Sequence, residues 1–260
     1  MLASRFLDGL EKDGLGYSEE RDERFVEQIL AGNVPEHQRI VHPVPVGDRL
    51  TLYVMCDYVS VGSDEDFVRA SLNPMSAQRI CSAIGGLMPT RKMVDAIWKA
   101  AGSKLEPAPW GPPYDSSMMS TYRIREHHRR IQKQFDKRKY ELGSLVAGHK
   151  KDVVISLQVQ RPADQKVAIY GWHRMNGQPI QGPGIQAVAH EITYRDYAHG
   201  IRIVSNVCLL DGKEDSVTRI LKDPELVSLL SDEKAGNDDV RVERADPFTD
   251  PRYVEALRAA

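Results

Sequence analysis

The chain is poor in cysteine. Cys56, Cys81 and Cys208 are an odd number in 260 residues and have no Cys-x-x-Cys spacing, which excludes a disulfide framework and a cysteine-based zinc site and suits a reducing compartment. Neither sign of charge is in large excess: 35 Lys and Arg stand against 37 Asp and Glu, a formal charge of -2. Without a global positive field, neither a nucleic-acid partner nor adsorption to an anionic membrane is expected. Long apolar runs are missing too. The first ten residues contain Arg5 and Asp8, and Glu11 follows, so no signal peptide or membrane span is read there, and a cytoplasmic protein is expected.

Several catalytic signatures are also lacking. The glycines from Gly177 to Gly184 have neither GxGxxG nor GxxxxGK spacing, so they do not form a nucleotide-phosphate loop. No Gly-x-Ser-x-Gly elbow occurs. Glu191 follows His190, but residue 194 is Tyr, so the HExxH arrangement of zinc proteases is absent. Asp64, Glu65 and Asp66 lack the alternation of a calcium loop and read as an acidic turn.

What is present is ordinary globular material, with 41% hydrophobic and 28% charged residues, enough to bury a sizeable core. Residues 18–31 place Phe25, Ile29 and Leu30 on one helical side before Gly32-Asn33 stops them. The prolines of His42-Pro-Val-Pro-Val-Gly exclude a helix, and residues 49–56 alternate as a strand. Helices are expected over 76–84 and 90–101, the second carrying Met93, Val94, Ile97 and Trp98 as a core stripe. The prolines around Trp110 predict a stiff extended loop over 103–117, a candidate rim or lid. A long helix over 121–140 carries Arg123, Arg125, Arg129, Arg130, Lys133, Lys137, Arg138 and Lys139, read as a solvated face.

Apolar runs at 144–159, 166–172 and 200–210 predict consecutive strands of an antiparallel or mixed sheet. Helices early and strands late indicate an α+β fold, with N-terminal helices packed on a mostly antiparallel or mixed sheet built largely by the C-terminal half. The expected organisation is a helical arm over 1–40, a main domain over 41–231, and an acidic, mobile tail over 232–260. Within it, helices are expected over 216–221, 224–231 and 251–259.

Polar chemistry concentrates between His149 and Arg202, where four of the eight histidines fall. Imidazole exchanges a proton near neutral pH or binds a metal, so His149, His173, His190 and His199 at neighbouring strand ends would make a reactive site. Asp152 and Asp196 are expected to orient imidazoles or bind metal. Tyr194 and Tyr197 would position substrate or donate a proton, Trp172 would contact substrate, and Arg202 would neutralise a carboxylate. If residues 190–197 were helical, His190, Tyr194 and Tyr197 would share a face; an extended segment would need a turn to bring His190, Asp196 and His199 together.

These residue types support a hydrolase acting on an amide-type or glycan-linked substrate, with or without a divalent metal, as the leading expectation. A small-molecule, peptide or glycan substrate is then the partner. The alternatives are a non-catalytic binding protein anchored by Trp110, Trp172 and Tyr197, and a His/Tyr lyase on a uronic-acid polymer. Cys56 would be a nucleophile if His149 or His173 reached it. The run His199-Gly200-Ile201-Arg202 resembles the His-Gly-Cys-hydrophobic-Arg core of L,D-transpeptidases, which act on peptidoglycan through that cysteine. Here Ile201 follows Gly200, so no nucleophile carries over, and the resemblance implies only peptide-like substrates.

Overall fold

The computed structural model describes residues 1–156, 166–182 and 190–233; the helix expected over 251–259 and nearly all of the acidic tail lie outside them. Helix α1 spans Ala3–Lys12 and α2 spans Glu19–Leu30, where Ser18 caps the start by accepting from the Arg21 amide. The arm assigned to residues 1–40 contributes Phe6, Leu7, Leu10, Phe25, Val26 and Ile29 to the same buried cluster as Ile169, Trp172 and Ile201.

Val41–Val46 (β1) and Leu50–Met55 (β2) form an antiparallel hairpin. The sequence did not indicate β1, because two prolines interrupt it. Val44 and Val46 point inward while Pro43 and Pro45 stand at a sheet edge, where no ladder N–H is required of them. A second hairpin joins Ser60–Gly62 (β3) to Phe67–Arg69 (β4) across the acidic turn. Helix α3 (Pro74–Ala83), strand β5 (Gly86–Leu87) and helix α4 (Arg91–Ala100) follow, with Asn73 and Thr90 as N-caps. Met93, Val94 and Ile97 are buried as the stripe predicts, whereas Trp98 is half-buried.

After β6 (Ser103–Lys104), the proline-rich loop leads into helix α5 (Thr121–Lys137). Three of the basic residues read there are ion-paired: Arg125 with Asp8 at 2.6 Å, Arg129 with Glu126 at 2.8 Å, and Arg138 with Glu106 at 3.3 Å. Val146–Ala147 (β7), Lys151–Val153 (β8), Ile169–His173 (β9), Pro179–Gln181 (β10), His199–Gly200 (β11), Val204–Leu210 (β12), Lys213–Ser216 (β13) and helix α6 (Val217–Lys222) complete the order. The stretch expected as a helix over 224–231 contains only a short 3-10 turn, Val227–Leu229.

The strands sort into a five-stranded sheet, β1-β2-β12-β13 with β5 on β12, and a four-stranded sheet, β10-β9-β8-β11. The fold is α+β, with mixed pairing: β8 meets β9 antiparallel and β11 parallel. Of the third apolar run, only Gly200, in β11, joins the sheet of the second; β12 does not. It crosses to β2 because Val204 and Cys208 match the buried cluster of Leu50, Leu52, Val54, Met93 and Ile97. Residues 190–197 are neither of the two conformations considered. Glu191 bridges to Lys166, the Tyr194 amide closes a turn on the Glu191 carbonyl, and the chain becomes strand only at His199. Among the described residues, no helix is long and apolar enough to cross a membrane.

Candidate active site

The four-stranded sheet positions the polar residues. Its register aligns His199 with Lys151 and Lys151 with Gly171, and next to them Gly200 with Asp152 and Asp152 with Tyr170. Side chains alternate along a strand, so Lys151 and Asp152 leave β8 in opposite directions. Strand β9 breaks its own alternation: Gly171 has φ +92° and Trp172 has φ +56°. A left-handed tryptophan is an uncommon, strained conformation. It is held by Trp172 Nε1 donating to the His149 carbonyl at 3.2 Å and by Lys151 Nζ 4.9 Å from the ring centroid.

On the Asp152 side, two titratable groups meet at a glycine. A Cβ placed on Gly171 would lie 3.3 Å from Asp152 Oδ2, 3.4 Å from His173 Cε1 and 3.2 Å from Val94 Cγ1, so a side chain there would crowd both groups and its absence lets the carboxyl and the imidazole pack on either side of the same backbone position. His173 Nε2 stands 2.9 Å from Asp95 Oδ1. A carboxylate only accepts, so Nε2 carries the hydrogen and the lone pair of a neutral His173 is on Nδ1. Tyr170 Oη donates to the same carboxylate at 3.1 and 3.2 Å, and the Trp98 ring stacks on His173 at 5.6 Å. Asp95 is 39% exposed while His173 is 3% exposed, so the pair runs from solvent to the interior. Asp152 accepts from Tyr58 Oη at 2.8 Å. Burial pushes its pKa up to about 6, against the pull of Arg202 and the Tyr58 hydrogen bond.

His149 lies apart from this pair. Its ring is fully buried, edge-on to Tyr58 at 5.0 Å, with Nε2 3.4 Å from Asp57 Oδ1, an ion-pair distance without hydrogen-bond alignment. Burial lowers its pKa to about 4. Asp57 is clamped by Arg69 at 2.7 and 2.9 Å, and the Arg69 guanidinium holds its carboxyl well below the usual range despite burial. Lys150 Nζ donates to the carbonyls of His199, Ala70 and Tyr197 at 2.8, 3.3 and 3.3 Å.

On the Lys151 side a different chain forms. His190 stacks on Tyr194 at 3.8 Å, Tyr194 meets the edge of His199 at 5.6 Å, and His199 Nε2 is 3.9 Å from Asp196 Oδ1, which is ion-paired with Lys151. His190 and Tyr194 line an open cavity of about 480 Å³ with Glu19, Glu191 and Arg195. His199 is fully buried and its pKa is lowered by burial to about 3. A larger cavity of about 600 Å³ lies between α1, α5 and the acidic turn, and His128 is the histidine it touches.

The structure therefore brings together Asp152 with His173, and His190 with Tyr194, His199 and Asp196, while His149 belongs to the Asp57–Tyr58 corner. Among the described residues, no three His, Cys, Asp or Glu side chains are grouped so that they could hold a metal ion. Arg202, expected to meet a substrate carboxylate, is fully buried and donates to the carbonyls of Met55 and Val146 at 3.0 and 2.6 Å. Tyr197 and Trp172 are also buried, at 4% and 6% exposure, and Tyr197 Oη accepts from the Trp110 amide at 2.7 Å. Trp110 is half-buried beneath Arg123 and Arg130, 4.0 and 3.7 Å from its ring. Cys56 is buried, donates to the His37 carbonyl at 3.1 Å, and has a pKa pushed up by burial to about 12, the opposite of an activated thiolate.

Asp95 and Tyr58 escaped sequence reading. The only trace of Asp95 was an acidic residue inside the apolar stripe of α4, and Tyr58 sits beyond the end of the first predicted strand. No family model, curated protein or solved structure matches the chain.

Proposed function

We propose that the protein is a hydrolase that cleaves an amide-type or glycan-linked substrate by metal-free acid–base chemistry between His173 and Asp152. The observation that carries this reading is the meeting of Asp152 Oδ2 and the His173 ring about the Cβ position that Gly171 leaves empty, with Asp95 fixing the tautomer of His173. An imidazole oriented by a carboxylate is a general base, and a buried carboxyl with a raised pKa is a general acid at near-neutral pH. His173 Nδ1 takes a proton from water as the water oxygen bonds to the carbonyl or anomeric carbon. The C–N or C–O bond breaks, and the leaving group takes its proton from the Asp152 carboxyl. Tyr170 steadies Asp95, and the exposed edge of Asp95 gives the pair its contact with solvent.

The test is hydrolysis of a panel of peptidyl and glycosyl substrates, with products identified by mass. Asp152→Asn and His173→Ala should each lower kcat by about 100-fold or more with the fold retained, the usual share of one acid or base. Asp95→Asn should lower it by removing the tautomer control. No turnover of any substrate, or turnover indifferent to Asp152→Asn and His173→Ala, would overturn the proposal.

A further inference from the structure

We infer that Tyr58 is the positioning residue of the Asp152 carboxyl, and that Gly200 and Arg202 form the cradle that fixes its ring; the inference rests on the reading of Asp152 as proton donor. It gives a task to the run His199-Gly200-Ile201-Arg202, whose arginine lies too deep to meet substrate. Tyr58 is 1% exposed and constrained on every side. At its edge, a Cβ on Gly200 would lie 2.5 Å from Tyr58 Cδ1 and 2.8 Å from Cε1, so only glycine admits the ring there. Over its face, the Arg202 guanidinium sits 4.0 Å from the centroid, itself tied to two carbonyls. The His149 ring meets the tyrosine at 84°, and the Tyr58 amide donates to Asp57 at 2.7 Å.

The sheet register explains why this cradle serves Asp152. Gly200 is the residue paired with Asp152 across β11 and β8, so the gap left by the missing side chain lies beside the carboxylate's own strand position. The tyrosine crosses that gap and donates to Oδ2 at 2.8 Å. Because the phenol is locked, Asp152 is held with one oxygen bonded and turned toward Gly171, where a Cβ would be 3.3 Å from that same oxygen. The charged and titratable groups acting on the carboxyl are Arg202, Tyr58 and His173, with Lys150 and Asp57 behind them.

Tyr58→Phe keeps the ring and removes the hydrogen bond. The carboxyl carbon of Asp152, assigned by its disappearance in Asp152→Asn, is titrated by NMR in both backgrounds. A donated bond favours the ionised acceptor, so its loss should raise the Asp152 midpoint by about one unit. The limb at which activity falls as Asp152 ionises should move up by the same amount while KM holds, a change that a purely structural role would not produce. An unmoved midpoint in folded Tyr58→Phe refutes the assignment. If that variant does not fold, the Tyr58 hydroxyl proton of the wild type decides: slow exchange and a shift that follows the Asp152 titration support it, and a fast-exchanging, unresponsive proton refutes it. The titration is read without turnover, so failure of the positioning role and failure of the hydrolase reading are seen separately.

Discussion

Lowering the pH from 7 to 5 should remove at least about 3 kcal/mol of folding stability, the net of two histidines and one aspartate before His127 and His128 are added. His149 and His199 are buried, and burial lowers their pKa values to about 4 and about 3. Unfolded, each takes up a proton near 6.5. Between that value and the folded pKa the unfolded chain binds more protons, so stability falls as the pH drops through this window. At pH 5 each ring contributes a loss of about 2 kcal/mol. Asp152 opposes them: its folded pKa, raised to about 6, lets the native state bind a proton before the unfolded state does, returning about 1 kcal/mol at pH 5. His127 and His128, whose pKa values are also lowered by burial and by the charge of Lys150 and Arg69, act in the same direction as the first two. Against a total stability of about 5–15 kcal/mol, the effect is large. Urea unfolding followed by circular dichroism at pH 7, 6 and 5 measures it, and His199→Gln should flatten the slope by about one proton. A urea midpoint unchanged between pH 7 and 5 would refute the argument that these rings are neutral in the native state.

Two shorter predictions follow from the same geometry. Gly171→Ala forces a side chain into φ +92° and into the space between Asp152 and His173; it should cost about 1–2 kcal/mol in thermal unfolding and suppress turnover beyond that loss. All three thiols are free and buried, with pKa values pushed up by burial to about 12 for Cys56 and Cys81 and about 11 for Cys208; native protein at pH 8 should resist iodoacetamide and become fully alkylated in urea, as counted by mass.

How much was legible varied with the kind of signal. Helices with caps and a clear stripe, α2, α3, α4 and α5, were readable because Ser18, Asn73 and Thr90 and the apolar spacing act within a few residues. Strand β1 was hidden because proline argues against a ladder unless the strand lies at an edge, and edge status belongs to the sheet rather than to the segment. The partner of β12 was not legible for a similar reason: strand order in a sheet depends on which apolar faces match, and Cys208 pairs with Leu52, 156 positions earlier in sequence.

The candidate site divides along the same line. Composition alone argued against disulfides and a cysteine zinc centre, and the clustering of histidine, aspartate and tyrosine between residues 149 and 202 pointed to Asp152 and His173, the residues on which the proposed chemistry rests. Which imidazole meets which carboxyl was fixed by the tertiary structure. Parallel pairing of β11 with β8, positive φ at Gly171 and Trp172, and a helix delivering Asp95 from outside the window sorted the four rings into three environments, with His190 and His199 joined through Tyr194. A side chain's chemistry is local, whereas its partner is chosen by chain crossings and burial that no short stretch of sequence contains.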